Sequence, residues 1–442
     1  MGKMDRIGRR RLLQGAGTLS ALVLAGGGSA AAKNAVANPS KIGTSSLAHM
    51  NGTGVTIQVA DYSYYQTGYK QAMDAVTAAF TRSTHAQVSQ VAAPVAQYVS
   101  TVLTQLRAGS PPDVIRVDDP QLSTYIENGW LAPIDDVVSQ VGLSRSDFVP
   151  AEHDTEFDRK LYGIVKESNP RIYIYNKALY DKADVGAPTD LNSFEAAIRK
   201  TTDAAIGQFG TAFDSKQGDP TTFFIQTTPF LFGLGGNFFA NGKPSADDPH
   251  TIAAVEFLQK LWQDNLVPRG LDAVTVNNLV IQGKVAATIN GAFVIAEGQR
   301  LNPDVAKHLR AIKNPLPGKN MRASAWWCVP TKAKHPELGK AYLAALLEKN
   351  VQQTFNDDTG VIVARKDGIS PRFLSKNPWF KVVVAESLSA TATMSYFPQS
   401  LGSKGIAAVE AAGNAVLQLL YSGGDAAKAM RQLQSRLESI IT

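Results

Sequence analysis

Val55-Thr56-Ile57-Gln58-Val59-Ala60 alternates apolar with polar side chains, the period of a strand that rests one face on a core. Working outward, Ala72, Val76, Ala79 and Phe80 recur at helical spacing between Tyr69 and Ser83. A second strand is expected around Val88 to Val91 and a helix around Tyr98 to Ala108. Pro111-Pro112 then punctuates the chain before a third strand, Asp113-Val114-Ile115-Arg116-Val117. Strand, helix, strand, helix, strand is the pattern of a parallel sheet with helical crossovers, so the fold class is α/β.

The pattern continues downstream. Strands are expected at Ile172–Tyr175 and Val285–Ile289, and helices near Leu191–Thr201, Ile252–Asp264, Glu337–Leu347 and Ala426–Ile441. The last shows Met430, Leu433, Leu437 and Ile440 on one face. A chain of 442 residues exceeds what one core usually supports, which predicts two lobes, each a mainly parallel sheet flanked by helices.

The net charge of +6 is concentrated at the start of the chain. Residues 1–37 hold six basic residues and the single acid Asp5, which leaves 38 basic against 37 acidic residues in the rest. A body so close to neutral carries no footprint for nucleic acid. Gly8-Arg9-Arg10-Arg11-Leu12-Leu13 followed by an apolar run to about Ala25 and by small residues describes an export signal. Its consecutive arginines resemble the twin-arginine type. Ala35-Val36-Ala37 is the preferred cleavage site, with Ala30-Ala31-Ala32 competing. Residues 38–54 then read as a leader without periodicity. Cys328 is the one cysteine, so no disulfide forms within the chain and no lipid-bearing cysteine follows the apolar run; a periplasmic, unanchored monomer is expected.

Signals for chemistry are missing. The six histidines show no metal-ligand spacing, and no G-x-S-x-G elbow occurs. Gly233 to Phe238 fails the dinucleotide fingerprint at its third glycine, and Gly236 to Lys243 fails the phosphate loop at both ends. Neither cofactor nor metal is expected. The adjacent acids Asp118-Asp119 and Asp135-Asp136 read as solvated caps before they read as acid/base pairs.

Several stretches, in order, resemble the extracellular solute-binding proteins of the maltose-binding type, family 1. They are Leu106 to Val114 with its Gly-x-Pro-Pro-Asp turn, Asn128 to Asp136, Lys160 to Ile164, Ile174-Tyr175-Asn176-Lys177, Gly235-Gly236-Asn237 and Gln282 to Gly291. The resemblance runs from Val55 to Thr442. It implies two lobes, residues 55–168 with 329–370 and residues 169–328 with 371–442, closing on a ligand held between them. It further implies an ABC importer that takes up a carbohydrate, with inner-membrane permease subunits as partners and no catalysis. The alternatives are a non-sugar solute such as a glycerol phosphate, a polyamine or an organic acid, or a periplasmic carbohydrate-active enzyme using Asp118 or Asp119.

A sugar offers apolar C–H faces and a rim of hydroxyls, so its site needs aromatic platforms beside groups that donate and accept hydrogen bonds. Where the resemblance places strand ends at the cleft, the candidates are Tyr62 and Tyr65 (with Tyr64), Asp118 and Asp119, Asn169, Asn290, Phe293, Trp326, Trp327, Tyr396 and Phe397. One of the two tryptophans is expected to face the cleft and the other to pack. Arg171 is expected to be turned to solvent by strand alternation. The maltose-binding type ends the third strand in Trp and follows it with Asp-Arg; this chain has Val117 and Pro120-Gln121, so maltose itself is not the expected ligand.

Overall fold

The computed structural model describes residues 50–442 apart from positions 67, 92 and 398. The expected export signal and nearly all of the expected 38–54 leader therefore lie outside the described residues.

The first lobe is built on a six-stranded sheet. Strands β1 (Thr56–Ala60), β2 (Gln87–Val91) and β3 (Val114–Asp118) pair in parallel with β1 in the middle. Ile57 and Val59 are buried while Thr56 and Gln58 are exposed, so the alternation seen in the sequence is the alternation of the two faces. The crossover helices are Tyr69–Thr84 and Val95–Ala108. Gly109 ends the second with φ of 71°, a left-handed conformation that a glycine adopts without strain. Four residues on, the Asp113 carboxylate accepts from the backbone of Gln58 (2.9 Å) and of His335 (2.6 Å), pinning the turn to β1 and to a distant loop.

Two further strands cross between lobes. β4 (Ile164–Pro170) is followed, after Arg171 alone, by β5 (Ile172–Asn176). β5 lies at the centre of a three-stranded sheet between β6 (Ala287–Asn290) and β7 (Leu309–Ile312). The chain then returns through β8 (Met321–Cys328), which pairs antiparallel with β3 on one edge and with β4 on the other; β9 (Thr391–Ala392) adds to its start.

The expectation of a mainly parallel sheet in each lobe needs correction for the second. Both ladders there are antiparallel, β5 with β6 and β5 with β7. β6 and β7 run the same way and are joined through the helices Phe293–Leu301 and Pro303–Ala306, as in a crossover unit, but β5 is inserted between them. Strand and helix alternation thus survives in the sequence while neighbours in the sheet oppose one another.

The second lobe's core is rich in aromatic residues. The helix Pro220–Gly233 buries Gln226, Thr227 and Thr228 along with Phe223, Phe224, Phe230 and Phe232, so its polar and apolar residues do not segregate to two faces and helical periodicity did not reveal it. It packs on the helix Gly405–Ser422, where Gly413 lies directly against the Pro220 carbonyl. Gly413→Ala should therefore lower stability by about 1–3 kcal/mol through overpacking. Gly298→Ala, whose added carbon meets nothing nearer than 3.6 Å, should leave it unchanged or raise it by up to about 1 kcal/mol. Urea denaturation of the two proteins checks the contrast, and equal effects would refute it.

Candidate functional site

At the carboxyl ends of β1 and β3 the first lobe gathers five charged side chains. Asp61, the residue after β1, accepts from Ser63 N (2.8 Å) and Ser63 Oγ (2.7 Å), starting the helical turn Tyr62–Tyr65. Its other oxygen accepts from Lys166 Nζ (2.9 Å) and from Trp327 Nε1 (2.8 Å). Arg116, from the middle of β3, binds Glu167 at 2.6 Å and Asp118 at 2.8 Å and stands 3.8 Å from Asp61. The Tyr62 ring covers its guanidinium at 4.2 Å, and the Tyr69 hydroxyl donates to Glu167.

Burial alone would push the Asp61 carboxyl up, but Lys166 and Arg116 outweigh it and hold the group down at about 2. Glu167 is also lowered, against its burial, by Arg116 and Lys166. For Asp118 burial prevails over Arg116 and the pKa is raised; burial likewise lowers that of Lys166. Asp118 is the least buried carboxylate of the network.

The second wall is amide-rich and holds one cation, Arg171. Asn290, at the end of β6, is wholly buried. Its Oδ1 accepts from Arg171 Nη1 (3.1 Å) and Gly291 N (2.8 Å), and its Nδ2 donates to Asn277 Oδ1 (2.9 Å). Gly291 leaves room between two candidates: a Cβ there would stand 2.8 Å from the Phe293 ring and 3.0 Å from Asn169 Oδ1. Asn169, Gly291, Phe293, Asn290 and Arg171 are thus contiguous, with Phe293 the least buried of them. Arg171 is buried, not turned to solvent, because it occupies the single position between β4 and β5, where strand alternation is broken.

The other candidates fall elsewhere. Trp326 and Trp327 are both 0% exposed. Alternation along β8 sends them to opposite faces of a covered sheet: Trp326 donates to the Ala151 carbonyl (3.1 Å), and Trp327 packs on Tyr342 and Phe355 and donates to Asp61. Neither opens onto the cleft, which corrects the expectation that one would. Phe397 is buried against Phe224 and Phe239 as part of the second core. The Tyr396 side chain lies outside the described residues. Tyr65 is 73% exposed, edge-on to Tyr64. Asp119 turns away from Asp118, accepts from Met394 N (3.2 Å), and lies near the Asp154–Arg322 pair.

Sequence reasoning passed over the Asp61, Arg116, Lys166 and Glu167 network. The available signal was a charged residue in the middle of an apolar strand, Val114-Ile115-Arg116-Val117. Among the described residues no cluster of side chains suits a metal. Cys328 is buried and its thiol is pushed well above its usual range by that burial.

The pattern of the bacterial extracellular solute-binding protein family matches residues 75–381. The chain belongs to that family. Among curated relatives, the galactooligosaccharide-binding protein of Bacillus subtilis is 24% identical over 361 residues, 78% of this chain and 80% of the relative. Among solved structures, an ABC transporter solute-binding protein of Thermotoga lettingae bound with α-D-tagatose superposes with a TM-score of 0.77 at 17% identity, covering 88% of this chain and 100% of that one. One of Agrobacterium radiobacter in complex with ribitol superposes with a TM-score of 0.77 at 16% identity and the same coverage. The two-lobed α/β fold of such binding proteins is therefore the fold of this solute-binding protein.

Three buried carboxyls are raised into the neutral range. Burial raises Asp119 to about 7, Asp214 to about 7 and Glu152 to about 8. A carboxyl whose folded value exceeds its unfolded one stabilises the fold only while protonated. For Glu152 that contribution is complete below 4.5 and is lost as pH rises through about 8. Denaturation midpoints should therefore fall between pH 5 and 8, on the order of these values. Glu152→Gln, which keeps an acceptor for Val165 N, should flatten the upper part of the fall. An unaltered profile would remove Glu152 from this account.

Proposed function

We propose that this protein captures a carbohydrate in the bacterial periplasm and delivers it to the permease subunits of an ABC importer, without chemical turnover. The observation that carries the reading is the surface where the Phe293 ring and the Asn169 amide meet across Gly291. An aromatic face beside a group that both donates and accepts suits a sugar's C–H face and hydroxyl rim. Asp118, half-buried and held by Arg116, supplies an acceptor from the opposite lobe. Sugar and polyol ligands in the related structures support the same class.

Catalysis is disfavoured by the same groups. A glycosidase needs two carboxylates flanking one bond; Asp118 is committed to Arg116, and Asp119 points into a different cluster. Export through the twin-arginine route, a monomeric state and a lobe division at 168/169 belong to this proposal; the return boundary is set before β8 instead of at 328/329, because that strand pairs with β3 and β4 in the first lobe's sheet.

A thermal-shift screen of the mature protein against mono- and oligosaccharides tests the reading. A bound sugar at a hundredfold excess over Kd should add about 2.7 kcal/mol, and scattering should show a smaller radius when it is present. Phe293→Ala should weaken binding by about 2 kcal/mol, roughly thirtyfold. Trp327→Phe, which loses the bond to Asp61 and part of the packing on Tyr342 and Phe355, should lower stability and spare affinity. Should Phe293→Ala keep full affinity for an identified sugar, the surface around Gly291 is not the site.

A further inference from the structure

We propose that Arg171 is the specificity-determining residue of the cleft and that the carbohydrate it selects bears a carboxylate, as a uronic acid does. The inference rests on the carbohydrate reading above and names the charge of its ligand.

A buried guanidinium normally lies against a carboxylate, because the cost of leaving water is otherwise uncompensated. Two other buried arginines here follow that rule. Arg116 binds Glu167 and Asp118, and Arg322 grips both oxygens of Asp154 at 2.6 and 2.7 Å. Arg171 does not. It is 4% exposed, and its hydrogen bond goes from Nη1 to the neutral amide oxygen of Asn290. Its Nε is buried and meets no acceptor among the described residues. Of the carboxylates, Glu167 acts on it electrostatically, but Glu167 is already taken by Arg116 and Tyr69. Burial accordingly lowers the Arg171 pKa to about 10.

Arg322 also has a buried Nε without a partner, but its Nη2 grips Asp154, whereas the one hydrogen bond of Arg171 runs from Nη1 to an amide and leaves the Nε side, an edge of two parallel donors, without a carboxylate. That edge is complementary to the two oxygens of a carboxylate. Asn290, fixed by Asn277 and Gly291, holds the other end of the fork in place without neutralising it. Arg171 borders the Asn169, Gly291 and Phe293 surface, so a carboxylate seated there would leave the sugar ring over Phe293. One cation faced by amides suits a monoanion; a phosphate ester would call for more positive charge.

The test is isothermal titration of the mature protein with galacturonic and glucuronic acids and their oligomers, galactose and glucose and theirs, and galactose 6-phosphate. It is repeated on Arg171→Met and Arg171→Lys. The expected result is at least tenfold tighter binding of the uronates than of their neutral counterparts. Arg171→Met should abolish that preference, costing the uronates at least tenfold more affinity than their neutral counterparts, and Arg171→Lys should retain part of it. Circular dichroism melts confirm that each variant is folded, and removing an unpaired buried charge should not lower them. Neutral sugars binding as tightly as uronates, a preference for the phosphate, or a uronate preference that survives Arg171→Met would each overturn the inference and leave the carbohydrate reading standing. Failure of every saccharide, with a titrated polyamine or glycerol phosphate binding instead, would overturn both.

Discussion

Arg116 is the constraint on which the first lobe's cleft face depends. It sits in the middle of a strand buried on both sides, so its charge must be answered inside the protein. Three carboxylates answer it, from three segments: Asp61 after β1, Asp118 at the end of β3 and Glu167 in β4. A buried ion pair adds little net stability against an apolar replacement, yet losing one partner costs about 3–5 kcal/mol. The network therefore fixes geometry more than it strengthens the fold. With it in place, Asp118 has one available orientation, Tyr62 has a cation to cover, and Trp327 has an acceptor.

Much of the architecture was legible because half-buried strands and amphipathic helices declare themselves by period. The expected helix Leu191–Thr201 coincides with the observed one, as does Ala426–Ile441, and β1 to β3 fall within a residue or two of their expected positions. Elements buried on every side were silent. β4 and β8 show no alternation because both faces are covered, and the helix Pro220–Gly233 buries its polar residues together with its apolar ones. The site was harder to read for a related reason. An aromatic residue is apolar whether it floors a cleft or fills a core, so Trp326, Trp327 and Phe397 looked the same as Phe293 until burial separated them. Arg171 was misread because alternation was extended through the one residue where two strands meet.

Recognition and lobe connection share the same short segment. β4 and β8 are hydrogen-bonded to each other, with a bulge between Ala325 and Trp326, and β9 pairs with the start of β8, so the crossing is a ribbon whose register is set. Such a ribbon bends more readily than it slides. Arg171 lies at its end, beside the Asn290 that belongs to the second sheet. A change in how the lobes sit is felt directly at that arginine.

The path of the chain has a consequence for how the molecule is made. The bond from Trp327 to Asp61 joins residues 266 positions apart, and β8 is a central strand of the sheet that β1 begins. Long-range pairings of this kind form slowly, since closure entropy comes before the reward. On a ribosome the segments carrying β5, β6 and β7 emerge before β8 does. The three-stranded sheet can thus assemble early, while β3 and β4 wait with their inner edges open and with Asp61 short of one hydrogen-bond donor. Until residue 328 has been synthesised, the nascent first lobe exposes unpaired strand edges and half-solvated charges, the features that bring chaperones to a growing chain.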